Sequence, residues 1–332
     1  MSGDRRPGAT ARVTIESALG RVDPGAELAT LAAALQETPR RIPSRYFYDR
    51  RGSELFERIT ELPEYYPTRT ERRLLEEVAD EIARSTAAEE LVELGSGAAT
   101  KTRILLDAMA RAGNLRTYVP LDVSESMVRR SADELAAAYP ELTVHGLVAD
   151  FHRHLEQIPP GQPRLVIFLG STIGNLRPDE AVSFLRRIGA PMASGDYFLL
   201  GVDLVKETAV IEAAYNDTAG LTAEFNRNIL RVVNRQAGGD FAPERFAHRA
   251  FFDPVKRRIE MRLVAQEAQK VRLERIDLTV ELVDGEEILT EISCKYERLQ
   301  VERMLTAGGF ALDRWFADDE GLFGLALARR DG

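Results

Sequence analysis

The stretch LVELGSGAATK, residues 91–101, has the pattern of a strand, a glycine-rich turn and the start of a helix. Its first part, Leu91 to Leu94, is a short apolar run that predicts a strand, and Gly95 and Gly97 follow before a helical pattern over 104–109. A loop of this kind turns tightly and lets a ligand approach the backbone at a helix N-terminus. Because most strand-to-helix turns favour glycine, the loop alone does not identify the ligand.

The residues around the loop favour an adenosine ligand over a dinucleotide. Thr100 stands where the dinucleotide pattern G-x-G-x-x-G has its third glycine. Glu93 precedes the loop, Asp122 ends the next strand 25 residues after Gly97, and Asp150-Phe151 ends the third. An acid at the second strand end suits a ribose diol, and a carboxylate with an aromatic ring suits adenine. Each acid alone could equally be a helix cap or a solvated strand end, but together they predict S-adenosylmethionine.

The flanking sequence predicts an α/β fold with a mostly parallel sheet, because predicted strands and helices alternate. Thr68 and Glu71 fit a capping box that starts the first of these helices. Strands are expected at 91–94, 117–121, 142–148, 165–169 and 197–201, and helices at 68–82, 104–109, 124–139 and 179–188.

The alternation breaks after residue 201. A helix is predicted over 209–233 and a strand-rich stretch over 257–279, which indicates a second domain or lid inserted before the sheet is complete. Two short alternating runs, 310–316 and 322–328, predict a terminal hairpin that closes the sheet edge.

Composition narrows the class of protein. The 332 residues carry a net charge of −9, which gives no basic surface for nucleic acid or an anionic membrane. The longest apolar runs have strand length, and MSGDRRPGAT at the start lacks the apolar stretch of a signal peptide. The single cysteine, Cys294, excludes an internal disulfide and fits a reducing cytoplasm. His152 and His154 could pair on a strand, but without H-E-x-x-H or a nearby cysteine we expect no metal.

Six blocks resemble a known family. In order they are YFYDRRGSELFERIT (46–60), LPEYYPTRTE (62–71), VELGSG (92–97), FLGSTIGN (168–175), FNRN (225–228) and LTEISCK (289–295). Over residues 35–328 the chain resembles the ergothioneine-pathway L-histidine Nα-methyltransferases, which depend on S-adenosylmethionine. The first two blocks are specific to that family and its close relatives, whereas VELGSG is generic to methyltransferases.

The resemblance implies two domains. A Rossmann-like class I methyltransferase core would comprise 70–204 and 296–332, and an inserted α+β substrate-binding domain would comprise 22–69 and 205–295, after a variable leader at 1–21. The break in the strand–helix alternation agrees with this division. LPEYYPTRTE would then lie at the seam, with Tyr66 as a packing residue.

The resemblance also implies site residues. The cofactor residues would be Tyr65, Gly95, Lys101, Asp122, Asp150 and Phe151, and the histidine site would include Tyr48, Phe56, Gly170, Thr172, Asn175, Tyr215, Met261, Glu291 and Ser293. Tyr48 is the candidate catalytic residue, which would orient the substrate amine. Two departures, Ala98-Ala99 in the loop and Tyr296 in place of the usual phenylalanine, are not expected to matter.

Local geometry supports part of this assignment. A strand through LTEISCKY would place Glu291, Ser293 and Lys295 on one face. A carboxylate and a hydroxyl two residues apart can bind the two nitrogens of an imidazole ring. The same pattern also fits an edge strand with a solvated face. Asn175 could bind the amino-acid backbone or serve only the turn beside Gly174, while Tyr215, Met261 and Phe56 are by pattern simply core residues.

We therefore expect three successive methylations of the L-histidine α-amine, which give the trimethylated betaine hercynine as the first step of ergothioneine biosynthesis. The reaction is an in-line attack that needs neither a covalent intermediate nor a metal, and the enzyme is expected to be a cytoplasmic monomer. Alternatives are a relative that acts on another amine, such as a tryptophan derivative, an NAD(P)-binding oxidoreductase, or a non-catalytic binding protein. Glu291 and Met261 favour histidine, and Thr100 disfavours the dinucleotide.

Overall fold

The computed structural model describes residues 12–19, 24–97, 101–159, 161 and 163–331. Among them the strands, numbered in chain order, are β1 (Val13–Ser17), β2 (Arg40–Arg41), β3 (Glu90–Leu94), β4 (Thr117–Asp122), β5 (Thr143–Val148), β6 (Arg164–Phe168), β7 (Tyr197–Asp203), β8 (Phe246–Asp253), β9 (Arg258–Ala265), β10 (Gln269–Leu273), β11 (Leu278–Leu282), β12 (Glu287–Cys294), β13 (Phe310–Ala317) and β14 (Phe323–Arg330). The α-helices are α1 (Pro24–Gln36), α2 (Arg50–Thr60), α3 (Tyr66–Thr86), α4 (Thr102–Arg111), α5 (Glu125–Ala138), α6 (Pro178–Gly189), α7 (Thr208–Ala213), α8 (Leu221–Ala237) and α9 (Arg298–Ala307).

An eight-stranded sheet has the order β1-β5-β4-β3-β6-β7-β14-β13. Neighbours from β1 to β7 pair in parallel, while β14 pairs antiparallel with β7 and with β13. The chain winds outward from β3 through β4 to β5, then returns to the other side of β3 with β6. This order confirms the predicted Rossmann-like α/β core and the terminal hairpin. In such sheets the reversal between β3 and β6 opens a ligand crevice at the carboxyl ends of the strands.

The central strands are apolar on both faces because helices cover both sides of the sheet. All five residues of β3 are buried. Val92 and Leu94 join one buried cluster with α6 and α9, whereas Leu91 joins the opposite cluster with α3, α4 and α5. A parallel sheet buried in this way produces near-continuous apolar runs, which is the pattern that the sequence carries here.

A second, smaller sheet has the order β2-β12-β9-β8, and β10 and β11 form a separate hairpin. These elements and helices α1, α2, α7 and α8 surround a distinct apolar cluster that includes Leu35, Phe47, Ile229, Leu263 and Ile288. The cluster draws on residues up to the start of α3 and on residues between β7 and α9. The last strand of this sheet, β12, leads directly back to the core through a backbone bridge between Tyr296 and Leu204.

Two expectations about chain organisation are wrong. The leader assigned to residues 1–21 contains β1, which pairs with β5 from Val13↔Val144 to Ser17↔Val148. Val13 and Ile15 pack against the core, so this alternating run has an apolar face to bury. The rest of that leader, 1–11 and 20–21, lies outside the described residues.

The single helix predicted over 209–233 is also wrong, because two helices, α7 and α8, occupy that region. Gly220, at φ 72°, precedes α8 in a left-handed conformation that interrupts the helix. The Asp217 carboxylate then accepts the backbone N–H groups of Leu221 and Thr222 at 2.8 and 2.7 Å. An acid at the start of α8 thus restarts the helix.

None of the helices in the described ranges combines the length and apolar character needed to cross a membrane.

Candidate active site

The glycine loop after β3 is braced by Asp122 at the end of β4. Gly95 and Gly97 adopt φ values of 75° and 47°, which favour glycine. The Gly97 N–H donates to one Asp122 carboxylate oxygen at 3.0 Å, and the Ser124 N–H donates to the other at 2.9 Å. Each oxygen keeps a second lone pair that can accept a ribose hydroxyl. The residues between this loop and Lys101, Ala98 to Thr100, lie outside the described residues.

Phe151 lies beside the glycine loop. A Cβ atom placed on Gly95 would stand 3.5 Å from Phe151 Cε1. The ring packs edge-on to Phe168, with centroids 5.4 Å apart. Asp150 begins the turn that carries Phe151, and its carboxylate accepts the His152 N–H at 2.8 Å. The structure therefore brings Gly95, Asp122, Asp150 and Phe151 to the carboxyl ends of neighbouring strands, as predicted.

Glu93, the residue before the last of β3, is bound to the first residue of α4 and to β4. Its carboxylate accepts the hydroxyls of Thr102 and Tyr118 and is buried. Burial raises its pKa to about 7, against the opposing effect of those two hydrogen bonds. The Glu93 carboxylate therefore connects the start of α4 to β4, and its partners are protein hydroxyls.

Glu71 joins the cofactor side of the crevice to the next loop. It is fully buried, with one oxygen paired to the Lys101 ammonium and the other accepting the Gly170 N–H at 2.7 Å. The predicted capping box of Thr68 and Glu71 is wrong, because α3 begins at Tyr66 and places Thr68 inside its first turn. Glu71 was not assigned to the site from the sequence, although it stands in the family block LPEYYPTRTE.

A row of aromatic side chains, here called the aromatic wall, comes from the segments around the smaller sheet. Its members are Tyr48, Phe56, Tyr65, Tyr215 and Phe225. The ring centroids of Tyr48 and Phe56 are 6.1 Å apart, those of Phe56 and Tyr65 are 6.1 Å apart, and those of Tyr65 and Tyr215 are 6.5 Å apart. Phe225, which the sequence analysis did not assign to the site, lies 5.9 Å from Phe56 and 6.0 Å from Tyr48. The fold thus brings four predicted residues together from two distant stretches of the chain, 48–65 and the turn after α7.

The tyrosines of this wall remain protonated at neutral pH. The Tyr48 side chain is 49% exposed, but burial of its hydroxyl end and the nearby Glu291 carboxylate raise its pKa. Burial raises the pKa of Tyr65 well above its ordinary value, with smaller effects from Tyr215 and Glu291. Both phenols can therefore donate and accept hydrogen bonds, but neither is suited to act as a strong base.

Glu291 is the unpaired acid of the site. Its side chain is half-buried, and its carboxylate makes no hydrogen bond or ion pair with any residue of the described ranges. Burial raises its pKa to about 7, while the charge of Lys295 acts in the opposite direction. Met261 is its cross-strand neighbour on β9 and is buried. A half-buried carboxylate without a partner is costly unless a ligand supplies a donor.

Ser293 near the end of β12 and Lys295 directly after the strand lie on the same side, as predicted. Lys295 Nζ lies 2.8 Å from Ser293 Oγ and 3.0 Å from the Tyr215 hydroxyl. The Tyr215 hydroxyl itself donates to Ser293 Oγ at 2.9 Å. These contacts place Tyr215 at the polar end of the aromatic wall, where it is bound to the β12 face.

The loop after β6 packs directly on β12. A Cβ atom on Gly174 would stand 2.9 Å from the Cys294 carbonyl oxygen and 3.5 Å from Ser293 Oγ, so a side chain there would separate the two segments. Thr172 donates its hydroxyl to the Leu169 carbonyl at 2.9 Å. The half-buried amide of Asn175, in contrast, has no hydrogen-bond partner among the described residues and is free to bind a ligand.

A buried ion cluster supports this end of the site, and sequence reasoning missed it. Asp203, the last residue of β7, pairs with Lys295 at 2.8 Å and with Lys206. Tyr66, predicted only to pack, donates its hydroxyl to Asp203 at 2.9 Å. Burial opposes the charge of Asp203, but the two lysines outweigh it and lower its pKa. No local pattern connects Asp203 with Lys295, because the chain distance between them is long.

The chemistry of the arrangement fits S-adenosylmethionine and an amino acid. The glycine loop and Asp122 can hold a ribose, and Phe151 can cover an adenine. Glu291 and Asn175, whose side chains have no polar partner within the described ranges, can bind a polar ligand. In the described part of the chain, no group of three or more histidine, cysteine or acidic side chains is arranged to hold a metal ion. His154 Nδ1 instead accepts the backbone N–H of Asp150 at 3.1 Å.

Comparison with known proteins gives a consistent result. Residues 28–330 match the model of a family described as histidine-specific, SAM-dependent methyltransferases. The chain is 46% identical over 298 residues to the histidine N-alpha-methyltransferases of Mycobacterium tuberculosis and Mycolicibacterium smegmatis, which covers 90% of this chain and 93% of each relative. It is 30% identical over 315 residues to ergothioneine biosynthesis protein 1 of Neurospora crassa, which covers 89% of this chain and 34% of that protein.

Proposed function

The chain belongs to the histidine-specific, S-adenosylmethionine-dependent methyltransferase family, and we infer from that membership that it methylates the α-amine of L-histidine. Three successive transfers would yield the trimethylated betaine, hercynine, at the entry to ergothioneine biosynthesis. The observation that carries the choice of substrate is Glu291, a half-buried carboxylate without a polar partner among the described residues, two residues from the Ser293 hydroxyl on one strand face. An imidazole ring offers the N–H and the second nitrogen that these two groups require.

The cofactor would occupy the crevice between the glycine loop and the loop after β6. Its adenosine would be held by Gly95, Asp122, Asp150 and Phe151. Its amino-acid end would lie toward Tyr65 and Lys101. This assignment is supported by the Asp122–Gly97 hydrogen bond, by Phe151 against Gly95 and by the resemblance in the LPEYYPTRTE block. When bound, S-adenosylmethionine supplies an electrophilic methyl group.

The histidine would be held at both ends. Glu291 and Ser293 would bind the ring, with Met261 beneath it. The residues around the amino and carboxyl groups of the histidine would be Asn175, Gly170, Thr172 and Tyr215. The free amide of Asn175 and its place on the loop that packs against Ser293 support this arrangement. With both ends fixed, the amine is held ready for in-line attack, and such orientation supplies much of the rate acceleration.

Tyr48 would orient the amine without removing its proton. Its raised pKa keeps the phenol neutral, so it can accept a hydrogen bond from the amine, and the proton released before each transfer passes to solvent. The faces of Tyr48 and Phe56 also suit the methylated ammonium products, since a cation over a desolvated ring gains ~1–2 kcal/mol. An aromatic wall of this kind accommodates one, two or three methyl groups.

The segments around the smaller sheet, 22–69 and 205–295, would act as the substrate-binding domain, and 70–204 with 296–332 as the methyltransferase domain. The separate apolar cluster of the first set supports this division. We further propose a cytoplasmic monomer. The single cysteine, Cys294, which is buried, fits a reducing compartment.

The test is a product analysis. The purified protein is incubated with S-adenosylmethionine and each of the twenty amino acids, and products are identified by mass spectrometry. We expect histidine products that are heavier by one, two and three methyl groups, with the trimethylated species accumulating. Strong turnover of tryptophan without turnover of histidine would overturn the substrate assignment and leave the family assignment intact. Binding of NAD in place of S-adenosylmethionine would overturn both.

A further inference from the structure

Lys295 is a buried cation that takes no part in the function proposed above. It is 2% exposed, and its ammonium group contacts three oxygens: Asp203 Oδ2 at 2.8 Å, Ser293 Oγ at 2.8 Å and the Tyr215 hydroxyl at 3.0 Å. An ammonium has three protons and no lone pair, so it can only donate to these atoms. All three of its protons are used by them.

This donor-only group occupies one acceptor lone pair on each of the two neighbouring hydroxyls, Ser293 and Tyr215. Ser293 Oγ accepts one from Lys295 and a second from the Tyr215 hydroxyl at 2.9 Å. A serine oxygen has two acceptor lone pairs, and both are then occupied. Its own proton has no acceptor among the described residues. Ser293 therefore meets a ligand as a hydrogen-bond donor and not as an acceptor.

Glu291 presents the opposite polarity on the same strand face. As a carboxylate it is an acceptor, and no donor from the described part of the chain reaches it. A ring bound between the two groups must offer an N–H to Glu291 and an unprotonated nitrogen to Ser293. A neutral imidazole does both, whereas an imidazolium would direct its second N–H at an oxygen with no free lone pair.

We propose that Lys295 is a positioning residue which, through Tyr215 and Ser293, sets the hydrogen-bond polarity of the ring subsite so that the enzyme selects the neutral imidazole of its substrate. This inference rests on the proposed histidine methylation and goes beyond it, because it assigns the selected protonation state and the residue that imposes it. Lys206 provides a matched control, since it pairs with the same Asp203 but contacts neither Ser293 nor Tyr215.

Other titratable groups surround the ring subsite and bear on any pH test. They are Glu291 on β12, Asp203 and Lys206 at the end of β7 and just after it, and the hydroxyls of Tyr48, Tyr65, Tyr66 and Tyr215. Because the Glu291 pKa is raised to about 7, the pH dependence of histidine binding alone would mix two titrations. A second substrate with a ring that stays unprotonated separates them.

The experiment uses the intact enzyme and compares histidine with 1,2,4-triazolyl-3-alanine, in which the ring remains neutral throughout the range from pH 5.5 to 8. In the wild type, we expect kcat/KM for histidine to fall more steeply than that for the triazole below the ring pKa, near 6.5, by about ten-fold per pH unit. Equal slopes for the two substrates would overturn the proposal without any substitution at Lys295.

The second arm compares K295M with K206M, each checked for folding by circular dichroism. In K295M, Ser293 regains a free lone pair and can accept from an imidazolium, so the histidine and triazole slopes should converge, with KM for histidine raised about ten-fold or more. KM for S-adenosylmethionine should change by less than about three-fold. K206M should keep the difference between the slopes.

The possible outcomes distinguish failure of the Lys295 proposal from failure of the proposed histidine methylation. Convergence of the slopes in K295M alone supports the proposal. The same change in K206M, or an undiminished difference in K295M, refutes it and leaves histidine methylation in place. Absence of any methylated histidine from the wild type at every pH refutes the proposed function and this inference with it.

Discussion

The buried carboxylate of Glu71 accepts the backbone N–H of Gly170 at 2.7 Å. Its other oxygen pairs with Lys101, so one side chain on α3 holds both the end of the glycine loop and the loop after β6. The two loops meet where the cofactor and the amino acid are proposed to meet. Their relative position therefore depends on an acid that contacts neither ligand in the proposed arrangement.

Replacement of Glu71 by glutamine should damage both loops. The amide keeps the shape but removes the charge partner of Lys101, and we expect a loss of about 1–3 kcal/mol of stability and a higher KM for S-adenosylmethionine. Thermal unfolding and initial-rate kinetics measure the two effects. Glu76→Gln on the same helix removes an exposed pair with Arg72 and should cost less than about 0.5 kcal/mol. Equal effects of the two variants would argue against a bridging role.

Removal of the Glu291 carboxylate should weaken the binding of histidine but not that of the cofactor. A hydrogen bond to a charged group contributes about 1.5–3 kcal/mol, so Glu291→Ala should raise KM for histidine about 10- to 150-fold. The KM for S-adenosylmethionine should stay nearly constant, because Glu291 lies on β12 and the glycine loop follows β3. An unchanged KM for histidine would remove Glu291 from the site. Glu287→Ala on the same strand, where the carboxylate pairs with Arg249 and Arg262, is the control.

Loss of the Asp122 carboxylate should instead weaken the binding of the cofactor. Asp122→Ala removes the proposed ribose acceptor and the hydrogen bond from Gly97, and we expect the Kd of S-adenosylmethionine to rise about ten-fold or more. Calorimetric titration measures this affinity, and Asp133→Ala on the exposed side of α5 serves as the comparison. Unaltered cofactor affinity in Asp122→Ala would contradict the assignment.

The stability of the ligand-free enzyme should depend on Glu291 between about pH 4.5 and 7. Its pKa is raised from 4.5 to about 7, so the folded state binds the extra proton in that window and loses stability as pH rises through it. Glu291→Gln should therefore match the wild type below pH 4.5 and exceed it by up to ~3 kcal/mol above pH 7. Denaturant unfolding of both proteins across pH measures the difference.

Comparing the wild type with Glu291→Gln also separates the effect of Glu291 on stability from that of Glu93. Burial raises the pKa of Glu93 to about 7 as well, but that carboxyl is present in both proteins and its effect cancels. Saturating histidine should reduce the advantage of Glu291→Gln, since the substrate ring supplies the missing donor. A wild type that is more stable than Glu291→Gln at pH 8 without ligand would contradict the argument.

The hydroxyl of Tyr48 should matter for the rate more than for affinity. Tyr48→Phe keeps the ring against Phe56 and Phe225 but removes the group proposed to orient the amine, and we expect kcat to fall about ten-fold, as one lost hydrogen bond would cause. The trimethylated product should still accumulate, because the aromatic faces remain. Rate assays with product analysis check both points. Tyr139→Phe, which loses a hydroxyl contact with Asp107 outside the site, should leave kcat unchanged.

The parts of the site that follow local patterns were predictable. The glycine loop, Asp122 and Asp150-Phe151 stand at strand ends, and the alternation of strands and helices predicts that those ends meet at one edge of a parallel sheet. Glu291, Ser293 and Lys295 share a face by the two-residue period of a strand. Ser293 and Lys295 are in contact in the structure, as that period requires.

The parts that depend on distant contacts were not predictable from pattern. Glu71 meets Gly170 across 99 residues, and Lys295 meets Tyr215 across 80. The strand β1 also has no local partner, since Thr14 meets His145 across 131 residues. Phe225 carries an ordinary apolar signal, and only its contacts with Tyr48 and Phe56 place it in the aromatic wall.

The fold class, the crevice and the types of residue that line it can be inferred from the sequence, because they follow from backbone periodicity, glycine conformation and the family blocks. Which polar groups already have hydrogen-bond partners, and which are left for a ligand, depends on tertiary contacts. Asp203, Lys295 and Glu71 are neutralised by partners far along the chain, whereas Glu291 and Asn175 are left without any in the described residues. Hydrogen-bond satisfaction is a property of three-dimensional neighbours, and no linear pattern of residue types encodes it.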